Sequence, residues 1–169
     1  SPHPPIYIAV LRREAAYHVG KQGNRVMLIP YATTDEMREI GDLIGEYRSG
    51  YYDSGAALVD DDAPLGLHTY VAETDEQART DAAEAFDLYV ATRLYAKSQT
   101  YDDILRSRLG LFGSVERVTD QIVELYGYGV RHILFLTNFG ALEADKVHRS
   151  MRLLADEVLP RVNARIGVA

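Results

Sequence analysis

Apolar residues in this chain occur in two alternating patterns, short unbroken runs and longer stretches with apolar positions three or four residues apart. The clearest pair lies in residues 132–160. Ile133–Leu136 is an unbroken apolar run, which is typical of a parallel strand buried on both faces. Four apolar residues then follow at spacings of four, three and four: Val147, Met151, Leu154 and Val158. This spacing predicts one apolar stripe along a long helix, reached from the strand through a turn that contains Asn138, Phe139 and Gly140.

The same alternation runs through the rest of the chain. Further strands are predicted at residues 6–10, 25–30 and 65–72, where the chain is apolar and rich in β-formers. Helices are predicted at about residues 14–22, from about residue 34, at residues 74–97 and at residues 114–127. Thr33 with Glu36, and Thr74 with Gln77, have the spacing of a capping box at a helix start. Residues 49–62 are predicted to be a loop, and residues 98–113 are ambiguous, with one or two helical turns before glycines at 110 and 113.

Four strands that alternate with helices predict a parallel sheet with right-handed crossovers. Four strands are few for an open sheet that has helices on both faces. They equal half of an eight-stranded barrel, and a half-barrel leaves two strand edges without a partner.

Composition narrows the class of protein. The chain has 169 residues, 47% hydrophobic and 25% charged, which predicts a single globular domain over residues 1–169. No apolar run approaches the roughly 20 residues of a membrane span, and without cysteine there is no disulfide and no thiolate. The net charge of −7 disfavours nucleic acid and anionic membranes as partners. We therefore expect a cytoplasmic protein that binds a small molecule or another protein.

Several polar side chains are candidates for chemistry. His68 interrupts an apolar strand, so it is either a proton-handling histidine or a core histidine bonded to backbone. Asn138 and Phe139 follow the last strand, where they either contact a ligand or have structural roles, with asparagine supplying turn geometry and phenylalanine plugging the mouth of a barrel. The histidines show no metal-ligand spacing with a carboxylate, so we predict no metal site.

Short segments in a fixed order cover nearly the whole chain. They are residues 3–9 (HPPIYIA), 26–30 (VMLIP), 46–48 (EYR), 68–71 (HTYV), 74–78 (TDEQA), 112–114 (FGS), 138–142 (NFGAL), 146–151 (KVHRSM) and 157–160 (EVLP). With this order and spacing, the chain resembles the C-terminal half of the luciferase-like flavin-dependent monooxygenases.

The resemblance implies an α/β fold, namely the C-terminal half of a TIM barrel with about four parallel strands and flanking helices. The strands would be the barrel's strands five to eight. It also implies FMN, used in reduced form as a cosubstrate, or a deazaflavin. Arg12 and Arg13 occupy the turn where the family holds the FMN phosphate, although relatives often have serine or threonine there. Ile29, Pro30, Asn138 and Phe139 would lie around the cofactor or substrate, with His68 as the catalytic candidate.

Two functions follow from the resemblance. One is a monooxygenase, or the C-terminal part of one, that oxygenates a small organic substrate with flavin reduced by a separate flavin reductase. The other is a half-barrel that binds flavin or another ligand without turnover and acts as an assembly subunit. Either version predicts a homodimer or a complementary half-barrel chain as partner, because the strand edges need cover.

Overall fold

The computed structural model describes residues 4–56, 63–93 and 98–168. These residues form two compact units. Unit 1 contains the described residues up to Gly66 together with Tyr128–Leu134, and unit 2 contains Leu67–Gly127 and the described residues from Phe135 onward. The prediction of one domain over residues 1–169 stays a prediction.

Strands and helices alternate along the chain, as the apolar pattern predicts. The strands are β1 (Tyr7–Val10), β2 (Arg25–Leu28), β3 (Leu65–Ala72), β4 (Leu111–Ser114) and β5 (Ile133–Leu136). The helices are α1 (Arg13–Lys21), α2 (Pro30–Thr33), α3 (Ile40–Asp53), α4 (Asp75–Ala91), α5 (Tyr101–Ser107), α6 (Val115–Gly127), α7 (Ala144–Leu153) and α8 (Leu159–Ile166). A 3-10 turn (Met37–Glu39) precedes α3, and a π-helical turn (Leu154–Val158) joins α7 to α8.

The strand pairs are parallel in both units. In unit 1, β1 pairs with β2 from Tyr7↔Arg25 to Val10↔Leu28, and Leu28 also pairs with Leu65, the first residue of β3. In unit 2, β3 pairs with β4 from Thr69↔Leu111 to Ala72↔Ser114. β5 is hydrogen-bonded to β3 as well. The predicted parallel α/β fold is confirmed.

The ambiguous segment at residues 98–113 contains both a helix and an additional strand. Thr100 caps α5 with a full capping box shared with Asp103, and α5 ends at Arg108, which has a positive φ of 59°. Leu111 and Phe112 are then fully buried as the core of β4. The prediction of about four strands therefore missed a short fifth one, because glycines on both sides of Leu111 and Phe112 hid a run of only two apolar residues.

In unit 1, α1 and α3 cross with almost no side chain between their backbones. A Cβ added at Gly20 would lie 2.3 Å from the Tyr47 carbonyl oxygen, and one added at Gly50 would lie 2.0 Å from the Tyr17 carbonyl oxygen. Glycine is required at this crossing because no larger residue leaves room for the opposing backbone. The crossing fixes α1, whose first residues follow β1.

Several predictions about helix and strand limits are wrong. Residues 49–53 continue α3 instead of starting a loop, while the polar aspartates at 60–62 lie outside the described residues. The Thr33–Glu36 capping box does not form, because Thr33 ends α2 and its hydroxyl donates to the Ile29 carbonyl at 3.1 Å. The predicted stripe that follows is nevertheless confirmed, since all of its members are buried: Met37, Ile40, Ile44 and Tyr47.

The stretch at residues 132–160 also differs from its prediction. β5 is half-exposed along its length, so it is not buried on both faces. Met151 is 47% exposed, and Ser150 takes the inward position beside it, where its hydroxyl accepts the Val71 N–H at 2.8 Å. A polar residue faces the strand here because a β3 N–H that meets no neighbouring strand still needs an acceptor.

The final helix continues past Pro160 to Ile166. Proline has no N–H and its ring crowds the carbonyl four residues earlier, which normally breaks a helix. Here the backbone widens into the π-turn at Leu154–Val158, and α8 follows with Pro160 in its first turn.

Among the described residues, no helix has the length and hydropathy needed to cross a bilayer.

Candidate functional site

The carboxyl ends of β1 and β2 lie side by side in unit 1. The two strands are parallel and in register up to Val10↔Leu28, so the residues that follow them emerge at the same edge. Ligands in parallel α/β folds bind at this edge of the sheet. The predicted cofactor contacts Arg12, Arg13, Ile29 and Pro30 all belong to these two turns.

Arg12 has the geometry of an anion contact. It is the N-cap residue of α1, with extended backbone angles (φ −137°, ψ 140°), and its side chain makes no capping hydrogen bond. The side chain is exposed and forms no ion pair with any residue in the described ranges. The first N–H groups of a helix and a guanidinium together favour a phosphate or carboxylate ligand.

Arg13 is the first residue of α1 and is oriented differently. Its guanidinium lies 3.6 Å from the Asp42 carboxylate of α3, and both side chains are largely exposed. This contact draws Arg13 toward α3. Its predicted role at a phosphate stays a prediction, and Arg12 is the better placed of the two arginines.

Ile29 and Pro30 form the start of α2. Ile29 is the N-cap and Pro30 the buried first residue, where proline's fixed φ suits a helix. The Ile29 Cδ1 atom would lie 3.2 Å from a Cβ built on Gly66, so this side chain packs against Gly66 near the start of β3. Their predicted contact with a cofactor stays a prediction.

His68 lies in unit 2 within an aromatic cluster. The imidazole is 3% exposed, and its centroid lies 4.7 Å from the Tyr89 ring, 5.3 Å from Phe86 and 5.7 Å from Phe139. Side chains alternate along a strand, so His68 shares a face with Tyr70, whose hydroxyl donates to Asp81 of α4. The imidazole therefore faces the helix layer.

The environment of His68 disfavours its charged form. Burial lowers the pKa of the imidazole from 6.5 to about 4, and the nearby Arg93 guanidinium lowers it further in the same direction. His68 is consequently neutral at pH 7. Its assignment as a catalytic residue stays a prediction, and the packing around it is that of a core histidine.

Asn138 and Phe139 have opposite environments although they are neighbours. Phe139 is 3% exposed, and its ring also packs at 5.9 Å from both Phe86 and Phe112. Asn138 is exposed, and its amide forms no hydrogen bond with any described residue. Asn138 is thus available to a ligand, whereas Phe139 packs in the core of unit 2, and the predicted cofactor contact of each residue stays a prediction.

The sequence did not reveal a buried polar cluster around Asp81. The Asp81 carboxylate accepts hydrogen bonds from Tyr70 Oη at 3.0 Å and Gln77 Nε2 at 2.9 Å. It also lies 3.1 Å from the Arg149 guanidinium and 3.4 Å from Lys146 Nζ of α7. One signal was present, because Asp81 falls between Ala78 and Ala82 on the buried stripe of α4. An open cavity of about 230 Å³ lies beside it.

Among the described residues, no group of three histidine, cysteine, aspartate or glutamate side chains is arranged to hold a metal ion.

Comparison with solved structures identifies the fold. The monooxygenase RslO1 from Streptomyces bottropensis is 26% identical, with a TM-score of 0.77, and the match covers 94% of this chain and 48% of that chain. The oxygenating constituent of 3,6-diketocamphane monooxygenase from Pseudomonas putida, a type II Baeyer-Villiger monooxygenase in complex with FMN, is 16% identical, with a TM-score of 0.71 and coverage of 94% and 49%. The coenzyme F420 dependent tetrahydromethanopterin reductase from Methanopyrus kandleri is 16% identical, with a TM-score of 0.65 and coverage of 94% and 51%.

No protein-family model matches the sequence, and no curated protein matches it. The structural neighbours are nevertheless luciferase-like monooxygenases and F420-dependent reductases, as the resemblance in the sequence implied. The chain has the fold of the C-terminal half of a luciferase-like TIM barrel, and it spans about half the length of these neighbours.

Proposed function

We propose that this chain is the C-terminal half of a flavin-dependent monooxygenase that uses reduced FMN from a separate flavin reductase to oxygenate a small organic substrate. Its fold supports an oxidoreductase of the luciferase-like class, which uses flavin or F420. FMN is favoured over F420 because two neighbours are monooxygenases by name and one of them is in complex with FMN.

The observation that carries the proposal is the position of Arg12. An exposed guanidinium without an ion pair in the described residues stands at the N-terminus of a nine-residue helix, at the carboxyl edge of two parallel strands. This arrangement fits a phosphate group. Arg12 and the first N–H groups of α1 would hold the cofactor phosphate, and the Asn138 amide would contact the ring or the substrate.

Bound reduced flavin would supply the electrons and the oxygen-activating chemistry. The residues of this chain would bind and orient the cofactor. The buried rings around Phe139 would exclude water from the base of the loop that carries Asn138.

The other half of the barrel is also part of the proposal. Three large apolar residues in and beside β1 are exposed: Ile6 by 71%, Ile8 by 37% and Leu11 by 48%. We propose that a complementary half-barrel, or a second copy of this chain, covers them. The alternative function is a half-barrel that binds flavin without turnover and serves as an assembly subunit. The cytoplasmic location stays a prediction.

The test compares FMN with riboflavin, which has the same ring system but no phosphate. We expect wild-type protein to bind FMN more tightly than riboflavin, as measured by quenching of flavin fluorescence. Arg12→Ala should weaken FMN binding by about tenfold, the value of one charge-assisted hydrogen bond, and leave riboflavin binding unchanged. Arg38→Ala is the matched control, because Arg38 is an exposed arginine of the same unit paired with Glu36.

Turnover separates the two functions. Oxygen consumption with a flavin reductase, beyond that of the reductase alone, supports the monooxygenase, and flavin binding without such consumption supports the assembly subunit. Equal affinity for FMN and riboflavin in both wild type and Arg12→Ala would refute the phosphate site.

A further inference from the structure

The loop after β5 is clamped at two adjacent residues. Phe139 is inserted into the aromatic cluster, where its ring lies 5.7 Å from His68. Gly140 has a positive φ of 58° and packs against α4 so closely that a Cβ on it would lie 2.0 Å from the Ala85 carbonyl oxygen. The Leu142 N–H then returns to the Phe139 carbonyl at 3.3 Å. The loop is therefore held by a ring on one side and by backbone contact on the other.

Asn138 is the residue that this clamp presents. It directly precedes Phe139, its side chain is exposed, and its amide has no partner in the described part of the chain. An amide on a fixed loop loses little conformational freedom when it binds a ligand, so fixing the loop improves affinity.

His68 is the part of the clamp that can change charge. It contacts Phe139 directly and contacts Phe86 and Tyr89 of α4. Tyr89 and Arg93 are charged or titratable groups that face it, and the Arg93 guanidinium lies 4.4 Å from the centre of the Tyr89 ring. Phe86 and Phe139 carry no charge. These buried aromatic surroundings accommodate a neutral imidazole. They disfavour an imidazolium, whose charge would be desolvated and repelled by Arg93.

We propose that His68 is a positioning residue, whose neutral imidazole packs on Phe139 and thereby holds Asn138 in place for a ligand. The part of this inference that concerns a ligand rests on the proposed function. The coupling between His68 and the loop does not.

Hydrogen exchange tests the coupling without any ligand. His68→Ala should raise backbone amide exchange in residues 138–142 by about tenfold, because the ring that holds Phe139 is lost. Phe139→Leu should have the same effect, and His68→Phe, which keeps a ring, should leave exchange unchanged at pH 7. Ile122→Ala on α6 is the matched control for loss of a buried side chain in the same unit, and it should leave the loop within about twofold of wild type.

Acidification supplies a readout that packing alone would not change. The folded-state pKa of His68 lies near 4, below its ordinary value of 6.5, so lowering the pH from 7 toward 4.5 should decrease the protection factors of the loop amides in wild type, which compare each amide with an unstructured peptide at the same pH. The same change of pH should have little effect in His68→Phe.

Flavin affinity tests the link to function. His68→Ala and Asn138→Ala should each weaken FMN and riboflavin binding by the same factor, about tenfold, and the double variant should be no weaker than either single one. His68→Phe should keep wild-type affinity. Loss of flavin binding or turnover in His68→Phe, with the loop still protected from exchange, would show direct chemistry by His68 and overturn the proposal. Unchanged exchange of the loop in both His68→Ala and Phe139→Leu would also overturn it. Absence of flavin binding in wild type would refute the proposed function, while the exchange experiment would still decide the coupling.

Discussion

The two units hold helices in place by opposite means. In unit 1, α1 and α3 meet backbone to backbone at Gly20 and Gly50, where nothing larger than hydrogen fits. In unit 2, α4 is joined to its neighbours through side chains, by rings around Phe86 and by the hydrogen bonds of Asp81. The first arrangement tolerates no added atom, and the second tolerates no lost partner. A substitution that adds atoms should therefore destabilise unit 1, and one that removes a contacting side chain should destabilise unit 2.

The largest effect is expected at the glycine crossing. Gly50→Ala would place a Cβ 2.0 Å from the Tyr17 carbonyl oxygen and 3.0 Å from the Lys21 nitrogen, both backbone atoms that cannot rotate away. We expect a loss of about 3 kcal/mol or more in the free energy of unfolding, measured by urea denaturation. Gly45→Ala on the same helix is the control, because no atom lies within 4 Å of its added Cβ. It should stabilise the protein by about 0.5 kcal/mol. Equal stability of the two variants would contradict the close crossing.

The next effect concerns a lost partner in unit 2. Asp81→Ala would leave the Tyr70 hydroxyl without its acceptor and remove the carboxylate that joins α4 to Arg149 and Lys146 of α7. We expect a loss of about 2 kcal/mol by urea denaturation, because a buried hydroxyl loses its acceptor. The lost ion pairs add less, since the Arg149 and Lys146 side chains are 46% and 30% exposed. Asp102→Ala removes an exposed carboxylate paired with Arg79 and should cost less than about 1 kcal/mol. A cost for Asp81→Ala as small as that of the control would show that the cluster adds little stability.

The sequence predicted the local pattern well and the tertiary partners poorly. The limits of β3 at residues 65–72 are confirmed, and so is the helix from Thr74, because strand and helix periods are properties of neighbouring residues. Its predicted end near residue 97 is wrong, because α4 ends at Ala91 with Thr92 as its C-cap. Met151 was placed on the buried stripe by its spacing, but Ser150 faces inward because Val71 needs a hydrogen-bond acceptor there. No spacing rule contains that requirement.

The candidate site shows the same division. The turns after β1 and β2 could be identified from sequence, because strand order alone places them at one edge. The different environments of Asn138 and Phe139 could not be identified from sequence. Both residues lie in the same predicted turn, and the sequence does not show which of them other side chains pack against. The prediction that β5 is buried on both faces was wrong for a related reason. An apolar run indicates that a strand needs neighbours to bury its side chains, but it does not show whether those neighbours belong to this chain.

Acid should weaken unit 2 through His68. Its folded pKa of about 4 lies below the unfolded value of 6.5, so the unfolded state binds the proton more readily. The stability that depends on neutral His68 is complete above pH 6.5 and is lost as the pH falls toward 4. We expect a loss of about 2 kcal/mol between pH 7 and pH 5 from this group, measured by urea denaturation. His68→Phe is the control. Between pH 7 and pH 5 its free energy of unfolding should fall by about 2 kcal/mol less than that of wild type. Parallel pH curves for the two proteins would contradict the lowered pKa.

The smallest effect is expected where unit 2 uses a side chain merely to start a helix. The Thr74 hydroxyl accepts the Gln77 N–H at 3.1 Å at the N-terminus of α4, while the Gln77 side chain turns to Asp81 and leaves the predicted capping box half formed. Thr74→Ala should cost about 1 kcal/mol in urea denaturation, the usual value of one N-cap. Thr80→Ala on the exposed face of the same helix is the control. Its hydroxyl bonds to the Glu76 carbonyl within the same helix, and alanine is the better helix former, so stability should stay equal or rise by a few tenths of a kcal/mol. Equal stability of the two variants would show that the Thr74 cap adds nothing to unit 2, whose α4 would then be fixed by the rings and Asp81 alone.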